Sequence, residues 1–422
     1  MTHSPSSIRI NEQRFKTNFE ALSRIGATAA GGVHRPALSA ADLEARAWFR
    51  ERIEAAGLEY ACQRPTGDAA GNQSAVLRGN RADAPHFLLG SHLDTVPNGG
   101  RFDGALGVLA ALEVLQTIKE AGYIPVVCLE AINFTDEEGA HLGLLGSRAL
   151  TGKLTSADLG HPNLGVEEFE SGLSRLGLTR DGILGAYREP GMIAGYLELH
   201  IEQGPTLAES GEEIGIVTAI VGIRRLRLRF IGRADHAGTT PIPRRRDAGR
   251  AACTFTAHAW EAVLRDFTDC AINVGNMRFE PGIFNVVPAA VTLDLELRAS
   301  SKQGLAALYD ALVHLAQQES KEAEVELEIT LAEDIPPATM HPTVQPVLIE
   351  CAVAAGYTYR SMPSGAGHDA QSFADICPTG MIFIPSVAGA SHSPKEFSHW
   401  QDCVNGADLL LQAALELAHV PT

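Results

Sequence analysis

Histidines and carboxylates recur along this chain at points where apolar, strand-like runs end. Those whose types and spacing suit metal binding are His92, Asp94, Asp103, Glu137, Glu138, His200 and His392. Two histidines and a carboxylate for each ion, with one aspartate between two ions, form a ligand set that Zn²⁺ and similar ions accept. Paired ions of this kind are typical of hydrolases. The set therefore predicts metal-assisted hydrolysis.

The carboxylates each allow more than one interpretation. In an extended segment residues two apart point to the same side, so the Asp94 carboxylate is expected to accept the second ring N–H of His92. Asp103 lies in a glycine-rich loop before a helical run, where it could cap the helix or bind a metal. Glu137 and Glu138 share a turn, where both could be solvated, or one could bind metal while its neighbour acts as a base.

The two remaining histidines are ambiguous when each is taken alone. The alternating run 197–201 predicts a strand with His200 on its polar face, and His392 is expected in a loop after the apolar strand 381–384. A single histidine on a strand or in a loop is more often structural. Only the complete set of ligand types favours a metal site.

Strand-like and helical runs alternate around these residues in the first half of the chain. The apolar run 87–90 is followed by a helical run at 105–119 and a second strand at 126–134, and helical signals return at 344–355 and 404–419. This order is typical of βαβ units and of a sheet with parallel strands. Such sheets place their sites where the strands end.

The pattern changes between about residues 213 and 330 to long strands of period two. Leu226, Leu228 and Phe230 alternate with arginines, which predicts one buried and one wet face. The expected elements are strand 221–232, helix 247–265, strand 271–279, strand 290–298, helix 303–320 and strand 324–331. This is the ferredoxin-like order. We therefore predict an α/β catalytic domain, 1–212 and 331–422, interrupted by an α+β domain at 213–330.

Length and charge exclude several classes of protein. The chain has 422 residues, with 34 Lys plus Arg against 51 Asp plus Glu and a formal charge of −17. An acidic field disfavours nucleic acid and anionic membrane surfaces, and we find no apolar run long enough to span a bilayer. The polar start has no apolar segment of a secretory signal, and the seven cysteines are scattered singly. A cytoplasmic location is expected.

Seven motifs in family order carry a resemblance to known proteins. They are GSHLDTV at 90–96, FDG at 102–104, DEEG at 136–139, LHIEQGP at 199–205, ADHAGTTP at 234–241, GHDA at 367–370 and SHSP at 391–394. The chain resembles the M20-type metallohydrolases, in the branch of N-carbamoyl-L-amino acid hydrolases, β-ureidopropionases and allantoate amidohydrolases. The match covers nearly the whole chain and implies a zinc-peptidase-like catalytic domain with a mixed sheet, interrupted by a ferredoxin-like lid and dimerisation domain.

The resemblance implies two divalent metal ions per subunit. Asp103 would bridge them, His92 and His200 would hold one, and Glu138 and His392 would hold the other. Zinc is the first expectation, and manganese, cobalt or nickel are accepted by the same nitrogen and oxygen ligands.

The resemblance also implies the catalytic groups. Glu137 would be the general base, and Asp94 would orient His92. His236 would reach the active site of the partner subunit in a homodimer and stabilise the oxyanion, although its loop alone suggests an ordinary turn histidine. Neither nucleic acid nor membrane is expected as a partner.

A further group of residues matches family positions that contact the substrate. They are Gln203, His236, Asn285, Arg298, Gly367 and His368. Asn285 and Arg298 would bind the substrate carboxylate, for which a guanidinium offers a planar two-pronged contact. The expected substrate is therefore a small anion.

Together these features predict hydrolysis of the linear C–N bond of a small N-carbamoyl (ureido) acid, with release of ammonia and carbon dioxide. One alternative is an aminoacylase or dipeptidase of the same superfamily, with the same metals and an acyl or peptide substrate. Another is a non-catalytic dimeric binding protein. The HIEQGP and ADHAGTTP strings favour the ureido branch, and the complete ligand set argues against a non-enzyme.

Overall fold

The computed structural model describes residues 8–62, 64–81 and 83–418, which form two compact units. The first unit runs to Thr218, resumes at Met340–Met362 and continues from Ala366. The second comprises Ala219–Thr339 and Pro363–Gly365.

Helices and strands alternate through both units. The α-helices of the described chain are α1 Glu12–Leu22, α2 Ala40–Ala55, α3 Ala105–Glu120, α4 Leu145–Leu150, α5 Val166–Arg175, α6 Thr206–Ser210, α7 Ala248–Asp266, α8 Lys302–Glu322, α9 Val344–Ala355, α10 Ala370–Phe373 and α11 Trp400–Leu417. The β-strands are β1 Glu59–Tyr60, β2 Gln73–Leu77, β3 His86–His92, β4 Cys128–Phe134, β5 Ile193–Ile201, β6 Ile214–Ile220, β7 Gly222–Ile231, β8 Asp235–His236, β9 Cys270–Glu280, β10 Val286–Val287, β11 Ala290–Ala299, β12 Glu326–Ile335, β13 Ala338–Thr339, β14 Tyr359–Ser364 and β15 Thr379–Ile384.

A nine-stranded mixed sheet has the order β1-β2-β4-β3-β5-β15-β6-β13, with β14 pairing to β6. Strands β4, β3, β5 and β15 are parallel neighbours, while β2, β6 and the outer strands pair antiparallel. The parallel strands expected from the alternating runs are confirmed, as is the mixed sheet that the resemblance implied. Because the four central strands are parallel, their carboxyl ends meet at one edge, where α/β sheets place their sites.

Helix α3 is one of the helices that pack against this sheet. The helix is apolar on nearly every side, and from Ala105 to Ile118 almost all its side chains are buried in the main core. A helix that is apolar all round is stable only inside a protein. It lies between the sheet and α11, and its buried position fixes the loop that precedes it.

The second unit contains a four-stranded antiparallel sheet of order β12-β7-β11-β9, on which α7 and α8 pack. Leu226, Leu228 and Phe230 are buried against the helices, and the arginines between them are exposed. The ferredoxin-like order of elements is confirmed. The two-stranded pairing of β8 with β10, which presents His236, was not anticipated from the sequence.

The insert begins and ends later than the predicted residues 213 and 330. Strand β6 starts at Ile214 but pairs with β15 of the large sheet, and β12 continues to Ile335. The boundaries of the second unit, at Ala219 and Thr339, therefore follow the pairing of the strands and not the change in sequence pattern. Within the described residues, no α-helix has both the length and the apolar character that a membrane crossing requires.

Candidate active site

The predicted ligands gather at the carboxyl edge of the four parallel strands. His92 is the last residue of β3, His200 is the penultimate residue of β5, and the turn with Glu137 and Glu138 follows β4. His392 lies in the loop after β15. The sheet order, with β4, β3, β5 and β15 adjacent, thus brings together residues that are up to 300 positions apart.

Asp103 stands between two groups of possible ligands. Its Oδ1 lies 3.1 Å from His200 Nε2 and 3.7 Å from His92 Nε2. Its Oδ2 lies 3.3 Å from His392 Nε2, which is 3.4 Å from Glu138 Oε2. The ligand atoms of each group all lie within 4.8 Å of one another. Each oxygen of one carboxylate therefore faces a separate histidine-containing group.

The two buried histidines are held by backbone carbonyls. His92 Nδ1 lies 3.0 Å from the carbonyl oxygen of Asp94, and His200 Nδ1 lies 2.9 Å from that of Ile201. A neutral ring that donates from Nδ1 keeps Nε2 as the acceptor, and in both residues Nε2 faces Asp103. Both rings are thus oriented as metal ligands.

The predicted contact between the Asp94 carboxylate and His92 is wrong. Asp94 Oδ1 lies 3.8 Å from His92 Nδ1, and the carboxylate instead accepts the backbone N–H groups of Glu137, at 3.4 Å, and Glu138, at 3.2 Å. The reason is that β3 ends at His92, so the two-residue periodicity of a strand does not extend to Asp94. Asp94 holds the turn that carries the two glutamates.

The alternative role of Asp103 as a helix cap is also wrong. Helix α3 is preceded by Gly104, and no side chain caps it. Gly104 has φ +61°, and a Cβ there would lie 2.4 Å from the His92 ring. Only glycine permits this close approach. The Asp103 carboxylate is thereby free of the helix terminus and faces the histidines.

Strand β5 does not have the polar face that its alternation suggested. It lies between β3 and β15, and eight of its nine positions, including His200, are buried. A central strand of a parallel sheet is covered on both faces. Polar residues on such a strand need buried partners, and Glu198 accepts hydrogen bonds from Ser91 Oγ, at 2.8 Å, and from the Ala370 N–H, at 2.9 Å.

The electrostatics of the cluster suit a cation. Burial lowers the pKa of His92 to about 4, whereas Asp103 raises that of His200 to about 9 against the effect of burial. Burial raises the pKa of Glu137 and Glu138 well above the ordinary value, and neighbouring carboxylates add to both increases. Several carboxylates thus face one buried space with few positive charges, an arrangement that divalent cations would stabilise.

Glu137 borders the first group. Its Oε2 lies 3.4 Å from His92 Nε2, and its side chain is largely buried. Glu138, the next residue, faces the second group instead. The two adjacent carboxylates therefore face different groups of possible ligands.

Gln203 and His368 border the cluster on its other sides. Gln203 Nε2 donates to Asp103 Oδ2 at 2.8 Å, and its buried Oε1 accepts no hydrogen bond from the described residues. The His368 ring stands edge-on to the His200 ring at 4.4 Å. His368 follows Gly367 in the loop between β14 and α10, and the Ala370 N–H ties the end of this loop to Glu198 of β5. Gln203 thus offers an acceptor atom for a bound molecule.

The inserted unit holds the other predicted contact residues, His236, Asn285 and Arg298. His236 is exposed, and its Nδ1 accepts the N–H groups of Gly238, at 3.0 Å, and Thr239, at 3.2 Å. The neutral ring therefore carries its proton on Nε2, where it is a donor. The Asn285 carbonyl accepts the Ala237 N–H at 3.0 Å, so Asn285 adjoins the two-stranded β8–β10 sheet that carries His236.

Arg298 is partly committed to other contacts in this unit. Its Nε donates to Glu296 Oε1 at 2.8 Å, and its Nη1 donates to the Gly365 carbonyl at 2.6 Å. A substrate carboxylate would have to share the guanidinium with Glu296.

Two carboxylates next to the site were not assigned a role from the sequence. Glu198 lies two positions before His200 on β5, and Glu396 lies four positions after His392. The strand periodicity could have indicated Glu198, since residues two apart share a face. No local signal indicates the link from Glu396 to the Asp103 loop, because the two backbone N–H groups that it accepts there are about 290 residues away.

The chain is similar to a known protein family over most of its length. The model of Peptidase family M20/M25/M40 matches residues 88–416. The N-carbamoyl-L-amino acid amidohydrolase of Geobacillus stearothermophilus is 36% identical over 411 residues, covering 97% of this chain and 99% of the relative. The allantoate amidohydrolase of Bacillus subtilis is 33% identical over 407 residues, covering 95% of this chain and 96% of the relative.

Solved structures are similar over the full length. The crystal structure of an amidase of the hydantoinase/carbamoylase family from Burkholderia multivorans superposes with a TM-score of 0.87 at 32% identity, covering 99% of this chain and 100% of that one. The resemblance inferred from the motifs is confirmed, as is the expected hydrolase class acting on carbon–nitrogen bonds other than peptide bonds. By the match of its sequence and its fold, the chain belongs to Peptidase family M20/M25/M40.

Proposed function

We propose that the chain is a dinuclear-metal amidohydrolase that cleaves the linear C–N bond of a small N-carbamoyl (ureido) acid. The observation that carries this proposal is the Asp103 carboxylate, whose two oxygens face two separate groups of ligands. The substrate class is supported by the relatives, which are named as N-carbamoyl-L-amino acid and allantoate amidohydrolases. The products would be ammonia, carbon dioxide and an amino acid or related amine.

The donor set of the cluster fits the metals that the family implies. His92, His200 and Asp103 would hold one divalent ion, and Asp103, Glu138 and His392 would hold the other. Zinc suits this mixture of nitrogen and oxygen ligands, as do manganese, cobalt and nickel. When bound, the ions would polarise the ureido carbonyl and lower the pKa of a water molecule.

The residues of the chain would move the proton and bind the substrate. Glu137 would take a proton from the attacking water and deliver it to the leaving nitrogen, which departs as ammonia. The carbamate that remains on the substrate amine would then lose carbon dioxide and leave the free amine. The His236 Nε2–H would donate to the developing oxyanion. Asn285 and Arg298 would bind the substrate carboxylate, and the unpaired Gln203 Oε1 would accept a hydrogen bond from the substrate.

A panel of substrates tests the proposed bond. N-carbamoyl-amino acids, allantoate, N-acetyl-amino acids and dipeptides are assayed together after loading with Zn²⁺, Mn²⁺ or Co²⁺. We expect kcat/KM for a ureido acid to exceed that for the others by at least about 100-fold, because a site built around specific polar groups rejects substrates that leave them unpaired. Cleavage of the N-acetyl-amino acids or dipeptides alone would identify an aminoacylase or dipeptidase. No bound metal and no turnover would favour a binding protein.

Replacement of His236 tests the oxyanion donor. We expect His236→Ala to lower kcat by about 10²–10³-fold, the usual effect of removing one such donor. KM should change little, and the metal content should stay at the wild-type level, because His236 is no part of the ligand groups. A comparable increase in KM with unchanged kcat would assign His236 to substrate binding only.

We also propose that His236 acts across the interface of a homodimer. Co-expression of His236→Ala and Glu137→Gln chains with different tags gives hybrid dimers, each with one fully intact site if His236 serves the partner. The purified hybrid should then recover about half of the wild-type activity, although each parent alone keeps only a small residual activity. If His236 serves its own subunit, no site in the hybrid is intact and no activity returns.

The thiols support the cytoplasmic location that we propose. All seven cysteines lie in the described part of the chain and are free. Unpaired thiols are typical of a reducing compartment.

A further inference from the structure

The Glu396 carboxylate lies beneath the loop that carries Asp103. Its Oε1 accepts the backbone N–H of Phe102 at 2.8 Å and that of Asp103 at 3.1 Å. The side chain is buried, with 5% of the residue exposed. A buried carboxylate that accepts two backbone N–H groups fixes the path of the backbone between them. Glu396 thus determines where the Asp103 side chain begins.

The chain makes room for this carboxylate at Gly100. A Cβ on Gly100 would lie 1.9 Å from Glu396 Cδ and Oε1, well inside van der Waals contact. Gly100 does not need glycine for its backbone, since its φ is not positive. The absence of a side chain therefore serves the close approach of Glu396.

The second oxygen of Glu396 reaches the loop of His392. Glu396 Oε2 accepts a hydrogen bond from Ser391 Oγ at 3.0 Å, and the same hydroxyl lies 3.2 Å from Asp103 Oδ2. The Glu396 N–H donates to the Ser393 carbonyl at 3.1 Å, which closes the loop on itself. One carboxylate thereby connects two ligand loops that are far apart in the sequence.

We propose that Glu396 is a positioning residue that holds the Asp103 loop against the His392 loop, so that the metal position of Asp103, Glu138 and His392 depends on it. The position of His92 and His200 depends on it much less. This inference rests on the dinuclear site proposed above. It assigns Glu396 no contact with substrate or with metal.

The dependence is selective because the two groups are supported differently. His92 and His200 are buried, lie on paired strands and are oriented by backbone carbonyls. The His392 side chain is 52% exposed, and its residue has the left-handed φ of +53° in a loop. Its place relative to Asp103 therefore depends on the Ser391 and Glu396 contacts.

Removal of the Glu396 side chain should weaken binding of the metal ion at the position of Asp103, Glu138 and His392. Wild type, Glu396→Ala and Glu396→Gln proteins are dialysed against the same free Zn²⁺, and bound zinc is measured by elemental analysis. We expect about two equivalents per chain in wild type and about one in Glu396→Ala, with the affinity of the second ion about 10–100-fold weaker.

Glu396→Gln should restore about two equivalents. The Gln oxygen can accept the Phe102 and Asp103 N–H groups, and its amide can donate to Ser391 Oγ, which then donates to Asp103. Rescue by this variant separates the positioning hydrogen bonds from a general need for negative charge.

Gly100→Ala provides an independent disturbance. The added methyl group should displace the Glu396 carboxylate without deleting it, and we expect the same loss of about one equivalent. In the double variant Gly100→Ala with Glu396→Ala, the methyl group has no carboxylate to displace. The double variant should therefore lose no more than either single variant, which is a non-additive result.

Glu113→Ala is the matched control. Glu113 is a buried carboxylate that accepts the Asn11 N–H at 2.9 Å and pairs with Arg14, in another part of the first unit. We expect it to lower thermal stability while it retains about two equivalents of zinc.

The outcomes separate this inference from the proposed function. If wild type binds about two equivalents and Glu396→Ala binds as many with unchanged affinity, or loses both, the inference is wrong. If wild type never binds more than one, the dinuclear function itself is wrong. Loss of one equivalent in Glu396→Ala and Gly100→Ala, with retention in Glu396→Gln and Glu113→Ala, supports the inference.

Discussion

Glu137→Gln is expected to lower kcat by about 10²–10⁴-fold while both metal ions stay bound, because the variant removes the proton acceptor and keeps the shape of the side chain. Glu137 is nearly buried, and its Oε2 lies 3.4 Å from Nε2 of His92 in the first ligand group. Burial and the surrounding carboxylates raise its pKa, which makes this carboxylate a stronger base than an exposed glutamate.

Glu138→Gln is the matched control for that result. The two residues are adjacent and both are largely buried, but only Glu138 faces His392, at 3.4 Å. We expect Glu138→Gln to lower zinc content, whereas Glu137→Gln should lower turnover at full zinc content. Wild-type kcat in fully loaded Glu137→Gln would remove Glu137 as the base. A loss of zinc in that variant would assign it to the ligands instead.

The second large effect is expected from Asp103→Ala, which should remove both metal ions and all measurable turnover. Oδ1 of this residue faces His92 and His200, and Oδ2 faces His392, so the two groups lose their shared ligand together. Loss of the ions removes several kcal/mol of transition-state stabilisation, which corresponds to at least about 10³-fold in kcat/KM. Zinc analysis and ammonia release measure the two effects.

Asp408→Ala controls for the loss of a buried aspartate. Asp408 is mostly buried and accepts the Ile10 N–H at 3.0 Å, on the helix α11 that packs against α3. We expect reduced stability but about two equivalents of zinc in this variant. If Asp103→Ala also retained two equivalents, the bridging role of Asp103 would be wrong.

The central strands that lead to the candidate ligands could be predicted because they depend on local patterns. The apolar runs before His92 and Glu137 are long enough to identify β3 and β4, and parallel neighbours must end at the same edge. The alternation of Leu226, Leu228 and Phe230 likewise predicts β7 with one buried face. In each case, the hydrophobic pattern and the tertiary structure agree.

The errors occurred where tertiary pairing determines the local geometry. Asp94 was expected to bond to the His92 ring, but β3 stops at His92 and the carboxylate turns to the next loop. His200 was expected on the polar face of its strand, but the strand lies between β3 and β15 and is buried. Strand ends and neighbours depend on distant segments, which a single sequence does not specify.

The role of Glu396 illustrates a different limit. Its carboxylate accepts the backbone N–H groups of Phe102 and Asp103. Because every residue except proline has such a group, the sequence does not indicate which ones a distant carboxylate will bind. Its carboxylate occupies space that a Cβ on Gly100 would fill. In the sequence, Gly100 belongs to a loop with several glycines, which suggest only a tight turn. Contacts of this kind become visible only when both loops are placed.

The central claim, hydrolysis of a ureido C–N bond, is tested most directly by following one labelled substrate. An N-carbamoyl-amino acid with ¹³C in the ureido carbonyl is incubated with zinc-loaded enzyme, and ammonia, ¹³C-bicarbonate and free amino acid are measured together. The proposed reaction predicts that the three products appear in about equal amounts and are absent with Glu137→Gln. If no ureido acid releases ammonia while the same preparation cleaves N-acetyl-amino acids or dipeptides, the proposed function is wrong.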